Sequence, residues 1–424
     1  MTTVLTRPTA LVREVRTGGV EARALQVLAF LTVALSSFEG YLLEINTTVT
    51  KVPAGLLILA WFAARVRQRR LPAFHPVHLA LAVLAVAVLA SAAIHNGDTF
   101  TMDYAQRWVS FLLTALVLLD LASREVPVRV LVWASVLGAA VAGGGALWSF
   151  LIDDSPRATG PLEDPNDLAY VLVSAVPLLV ALFVPRRRRD RPDGAPRRTI
   201  PRPGAALIGV LVLILVLGAA VTVSRGGLIA LGVALAWLGL RRGIAPRVLV
   251  AVGAVVAVGG VVLALAFSSL VGQALSQKDQ VAGSNVDTRA LRWQVAAQML
   301  PEHPLLGVGP GGFRSNYLGV SHNAELAEQT PVAHNMYVEV AAELGLLGLA
   351  GFLGVIVVAL WSSERAIRSA RAGPDRLLPL AVQCSLVAIL VASAFLSEQY
   401  YMPLWSMIAA ACALGLRNGT EPVR

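Results

Sequence analysis

Apolar stretches of about the length of a membrane crossing recur along this chain between shorter polar segments. Twelve can be placed, starting near Ala24, Val49, Pro76, Tyr104, Pro127, Asp167, Ala205, Gly227, Pro246, Met336, Leu377 and Pro403. About 20 apolar residues span the hydrocarbon as a helix, and a helix satisfies its own backbone polar groups there. The pattern predicts an all-α integral membrane protein of about 12 transmembrane helices. The expected organisation is a disordered cytoplasmic tail over 1–22, helices one to nine over 23–267, and an extracytoplasmic loop with short helices over 268–335. Helices ten to twelve follow over 336–417, and a cytoplasmic tail over 418–424. The first stretch has no cleavage-like small-residue site after it, so it reads as an anchor.

Composition agrees with this reading. Hydrophobic residues make up 56% of the 424 and charged residues only 14%, a balance foreign to water-soluble domains. Charge then orients the chain, because Lys and Arg are retained on the cytoplasmic side. With the N-terminus inside, 27 of the 35 Lys and Arg residues fall in cytoplasmic segments. The net charge of +9 therefore reports topology and contact with anionic membrane lipid, and no nucleic-acid partner is expected. The Arg186–Arg189 run and the Pro-rich residues after it read as a cytoplasmic linker. Cys384 and Cys412 fall inside expected helices, and no His, Cys and Asp spacing resembles a metal site, so neither metal nor cofactor is expected.

The polar stretch before Met336 is the longest in the chain, and a loop of that length is usually functional or disordered. Within it, Asp287 to Leu300 reads as a short amphipathic helix with Asp287 as N-cap and Leu291, Val295 and Met299 on one face. Arg289 and Trp293 share a face. The segment Gly307 to Phe313, GVGPGGF, lacks the Gly-Lys-Ser/Thr ending of a phosphate loop and reads as a closely packed turn.

Three turns expected outside the membrane end in helix starts: RATGPLEDPND before the sixth stretch, Ser224-Arg225-Gly226-Gly227 before the eighth, and His334-Asn335 before the tenth. A helix start offers unpaired N–H groups and partial positive charge, an anion site by construction. Arg225 has no cytoplasm to account for it, and a cation held there is expensive unless used or paired. It reads either as a ligand to an anion or as a snorkelling Arg with a carboxylate partner. Arg289 reads either as an anion ligand in a first helical turn or as a loop salt bridge. Arg157, Arg292, Arg314 and Asn335 are secondary candidates. His334, beside a helix N-terminus that disfavours imidazolium, is a candidate base, while a lone loop histidine is more often structural. Glu339 and Glu343 read as carboxylates favoured by the helix dipole.

Taken in order, RATGPLEDPNDLA, SRGG, R-x-x-x-W followed by HPLLGVGPGGF, and HN-x9-GLLG resemble the O-antigen ligase/polymerase superfamily of bacterial membrane glycosyltransferases. The resemblance implies a polyprenyl-dependent (GT-C-like) helical bundle with a long extracytoplasmic loop between helices nine and ten. It implies an inverting, metal-independent enzyme of the bacterial cytoplasmic membrane, with both termini cytoplasmic and the active site on the outer face. Such an enzyme moves a glycan from undecaprenyl diphosphate to an acceptor hydroxyl on a glycan or lipid-linked glycan. By the same resemblance Arg225 and Arg289 hold the diphosphate and His334 activates the acceptor. Polymerisation of a lipid-linked glycan stands beside ligation. From other classes, a twelve-helix secondary transporter and a non-catalytic envelope scaffold are the alternatives. The transporter would show two similar halves, whereas the motif-bearing turns here all lie after Leu151.

Overall fold

The computed structural model describes residues 19–155, 157–162, 164–183, 202–243, 268–326, 331–370 and 374–418, with helical residues at 254, 258, 261 and 265. Its helices are α1 (Val20–Leu35), α2 (Glu39–Leu43), α3 (Val52–Gln68), α4 (Val77–Ile94), α5 (Thr101–Arg124), α6 (Val128–Leu151), α7 (Pro165–Ala175) and α8 (Leu178–Phe183). They continue with α9 (Arg202–Val221), α10 (Arg225–Leu240), α11 (Ser268–Glu302), α12 (Gly312–Val320), α13 (Met336–Ser369), α14 (Pro374–Ala392) and α15 (Met402–Asn418). Among the described residues, seven helical stretches are long and apolar enough to cross a membrane. Three shorter apolar helices, Ala206–Val221, Arg225–Leu240 and Met402–Arg417, join them. The regular elements among the described residues are all helices, and the protein is a multi-pass membrane protein.

Two boundaries differ from expectation. Helix α1 begins at Val20, so the expected disordered tail over 1–22 overlaps the helix; its first 18 residues lie outside the described residues. So do the linker at 184–201, the start of the ninth stretch near Pro246 and residues 419–424. The short helix expected from Asp287 to Leu300 is the C-terminal part of the 35-residue α11. No proline interrupts the chain between Ser268 and Pro301, so Asp287 lies within the helix and does not cap it. Its apolar face is as expected: Val295 and Met299 are buried, and Leu291 packs against the same cluster with Phe313 and Tyr317.

The bundle has two polar ends. At one, Arg65 binds Asp120 (2.6 Å) and Glu125 (2.7 Å), and Trp61 and the Ala73 N–H also donate to Asp120. There too His75 meets Ser362 (3.1 Å) and Arg241 meets Glu364 (2.7 Å). The middle is held by Trp108, Phe352 and Trp405, whose rings meet edge-on at centroid distances of 6.1–6.3 Å and lock α5, α13 and α15 together. The other end carries the starts of α5, α7, α10 and α13.

Near that second end α13 is broken. Gly345 has φ 63° and ψ −167°, a conformation open essentially to glycine alone. The break frees backbone groups that lipid cannot satisfy, and the Pro304–Gly309 segment satisfies them. The N–H groups of Val308 and Gly309 donate to Ala342 and Glu343, while those of Leu346 and Leu347 donate to Pro304 and Leu305, all within 2.9–3.2 Å. Ser91 adds a bond to the Leu306 carbonyl (2.6 Å). HPLLGVG and GLLG are thus two halves of one backbone joint. A Cβ on Gly345 would lie 2.4 Å from the Leu305 carbonyl carbon. Gly345→Ala is therefore expected to cost at least about 1–3 kcal/mol from backbone strain alone, read as a lowered Tm of the detergent-solubilised protein; an unchanged Tm would refute the joint.

Candidate active site

Three capped helix starts converge at the second end. Pro165 opens α7, and the Asp164 carboxylate caps it by accepting the Asn166 N–H (2.6 Å). Ser224 caps α10, accepting the Gly227 N–H (3.3 Å) while its hydroxyl donates to Asn166 Oδ1 (2.8 Å). The Ala158 N–H donates to the Val221 carbonyl (3.1 Å), so the RATGP turn is pinned beside SRGG. Asn335 caps α13, accepting from the Tyr337 and Val338 N–H groups. The Met336 N–H donates to the Ser393 carbonyl (2.9 Å), which ties this helix start to the loop between α14 and α15. Gly226 lies against Phe395 of the same loop.

His334 precedes the third start with φ +49°, a left-handed backbone that is uncommon for a residue with a Cβ. The chain around it is anchored on both sides. Arg292 donates to the Val332 carbonyl (3.1 Å), the Trp293 indole donates to the Ala333 carbonyl (2.9 Å), and the Ala333 N–H donates to Glu339 (2.9 Å). Burial pushes the imidazole pKa down to about 4; Arg289 and Arg292 push the same way, against Asp164 and Glu339. The ring is thus neutral near pH 7, with burial the main cause and two guanidinium groups behind it.

The sequence candidates separate into classes once placed. Arg292 is buried, with a two-bond fork to Glu325 (2.9 and 3.0 Å), and Tyr317 donates its hydroxyl to the same carboxylate. Arg314 lies between Glu339 (3.0 Å) and Glu343 (3.3 Å) and over the Tyr104 ring, so it braces α12 against α13. Arg289, half-buried, has no ion pair among the described residues. Burial lowers its pKa, and Asp164 and Arg292 act on it in opposite directions. Arg157 is half-buried, with its Nε lacking a partner among the described residues. Arg225 is the first residue of α10 and is exposed. Arg289, Arg292, His334 and Asp164 therefore share one electrostatic neighbourhood, while Arg225 follows Ser224, whose hydroxyl is bonded to Asn166.

The loop between α14 and α15 went unread in the sequence. Ser397 and Gln399 donate to Glu339, while Glu398, 1% exposed, lies in the electrostatic neighbourhood of Asp167. Burial and then Asp167 push Glu398 well above the usual carboxylate range, and Tyr401 donates to Asp167 (2.8 Å). A buried carboxyl between two membrane helices is costly unless used or paired. That cost was the available signal for Glu398.

Capped helix starts, the Arg289 and Arg225 guanidinium groups and a neutral histidine thus lie at one end of the bundle. Residues 210–353 match the family model described as O-Antigen ligase. The matched stretch, about a third of the chain, is similar to that family. It takes in SRGG, Arg289, Trp293, the HPLLGVG segment and HN-x9-GLLG; the RATGPLEDPND turn precedes it. No curated protein matches the chain.

The depressed His334 pKa carries a stability consequence. Between about pH 6.5 and pH 4 the unfolded state binds the proton that the folded histidine refuses, so stability falls as pH drops through that window. In His334→Gln that share of the loss is expected to vanish. Thermal unfolding of both proteins at pH 7 and pH 4.5 checks it, and equal pH dependence in the two would refute the buried, neutral ring.

Proposed function

We propose that this protein transfers a glycan from undecaprenyl diphosphate to an acceptor hydroxyl at the membrane surface, with ligation of a lipid-linked polysaccharide as the leading reaction. The observation that carries the reading is the electrostatic grouping of Arg289 with a neutral His334 where α7, α10 and α13 begin. His334 takes the proton of the acceptor hydroxyl as its oxygen attacks the anomeric carbon. The sugar–phosphate bond breaks with inversion, and undecaprenyl diphosphate leaves with the bonding electron pair. Guanidinium groups match phosphate oxygens with paired hydrogen bonds and never lose their proton. Arg289 and Arg225 are assigned to that leaving group, where preorganised positive charge acts most strongly. Asn335 orders the histidine through its cap, and Arg157 is a further phosphate contact.

Orientation follows the same reading. Arg65, Arg124, Arg241, Arg368 and Arg417 belong to the end away from His334, which supports a cytoplasmic basic end and an external site.

The test uses purified full-length protein, a synthetic undecaprenyl-diphosphate-linked oligosaccharide, and the envelope fraction of the source cells as acceptor pool. Transfer is expected to fall about 10²–10⁴-fold in His334→Ala. In Arg289→Ala and Arg225→Ala the loss should be at least about tenfold, and greater in the first. Product longer by whole repeat units on the lipid itself would assign polymerisation. Unaltered transfer in all three variants would overturn the site. Solute uptake by vesicles with no transfer would overturn the reaction class.

A further inference from the structure

We infer that Trp293 is a positioning residue for His334, acting through the backbone and touching neither donor nor acceptor. The inference rests on His334 being the base. A left-handed non-glycine residue costs on the order of 1–3 kcal/mol and persists only where its surroundings over-determine it. Here the surroundings are explicit. The carbonyls of the two residues before His334 are held by neighbours on a single turn of α11, Val332 by Arg292 and Ala333 by Trp293. The N–H of Ala333 is held by Glu339 of α13. After the histidine, Asn335 caps α13 and Met336 is bonded to Ser393. The histidine is thus suspended between two helices, and the indole N–H is the bond that ties its amide link to α11.

The chemistry of the two anchors on α11 differs. Arg292 is fixed by Glu325, which Tyr317 also holds, so it belongs to a wider ion-paired structure that braces α12. Trp293 is 39% exposed, and its indole N–H donates to the Ala333 carbonyl. Removing that N–H while keeping an aromatic ring changes one bond to the histidine segment and leaves the ion pair alone. A carbonyl released beside His334 lets the left-handed residue relax, and a displacement of about 1 Å in a reacting group costs on the order of 10²-fold in rate.

Trp293→Phe in the full chain is therefore expected to lower kcat by about ten- to a hundredfold, with the KM for the undecaprenyl-diphosphate oligosaccharide and the affinity for undecaprenyl diphosphate both within about twofold of wild type. Its Tm should move by no more than a few degrees. In the His334→Ala background the same change should leave the residual rate within about twofold, because a residue acting only through the imidazole has nothing left to position. Where that residual rate is too low to follow, the kcat against KM comparison decides. A wild-type kcat in Trp293→Phe, a KM rising in step with the loss, or an equal loss in both backgrounds overturns the inference. Wild-type transfer by His334→Ala overturns the base assignment itself, whatever Trp293→Phe does.

Discussion

Backbone groups freed inside a membrane must find partners within the protein, and the break at Gly345 obeys that rule through a segment forty residues earlier. The four bonds between Pro304–Gly309 and the broken turn of α13 dock the end of α11 against the bundle. The joint acts together with the packing of Val295 and Met299 and the Arg292 and Trp293 bonds to hold α11 beside the start of α13. The joint therefore helps fix where Arg289, Arg292 and Trp293 stand relative to His334. A structural requirement of the solvent has become the device that assembles a site from two distant parts of the chain.

Electrostatics then divides labour among neighbouring cations. Arg292 and Arg314 are each matched to carboxylates, Glu325 in one case and Glu339 with Glu343 in the other. Burial works against the Arg314 charge, yet its two carboxylates outweigh it and raise its pKa. Such pairs brace α11 on the turn after α12, and α12 on α13, and add little net charge. Arg289 lies in the same neighbourhood without an ion pair among the described residues, opposed by burial and by Arg292. A cation under those conditions gains most when an anion arrives, and the same cations reinforce the burial that keeps the His334 imidazole uncharged. In the proposed reaction one arrangement would serve both halves: attraction of the leaving diphosphate and a base ready to accept a proton.

Much of this was legible in the sequence because it is written locally. The starts at Pro165, Arg225 and Met336 are announced by Asp164, Ser224 and Asn335, whose side chains bind N–H groups two or three residues on. The buried face of α11 was readable from the spacing of Val295 and Met299. The joint was not, since bonds from Val308 and Gly309 to Ala342 and Glu343 involve main chain only and leave no side-chain signature beyond glycines. Glu339 read as a dipole-favoured carboxylate because only its position in α13 was visible. Its donors are Arg314, Ala333, Ser397 and Gln399, drawn from three other segments.

The loop between α14 and α15 extends the same logic. Its Ser397 and Gln399 reach Glu339, which holds the amide before His334, while its Glu398 neighbours Asp167 in the first turn of α7. Two of the converging helix starts are thereby referenced to one short connection, and Ser224 references the third through Asn166. Each bond alone is worth about 1 kcal/mol net, too little to matter against the stability of a bundle this size. Their value lies in geometry: a proton transfer requires heavy atoms within about 3 Å, and helix ends referenced to one loop move together or not at all.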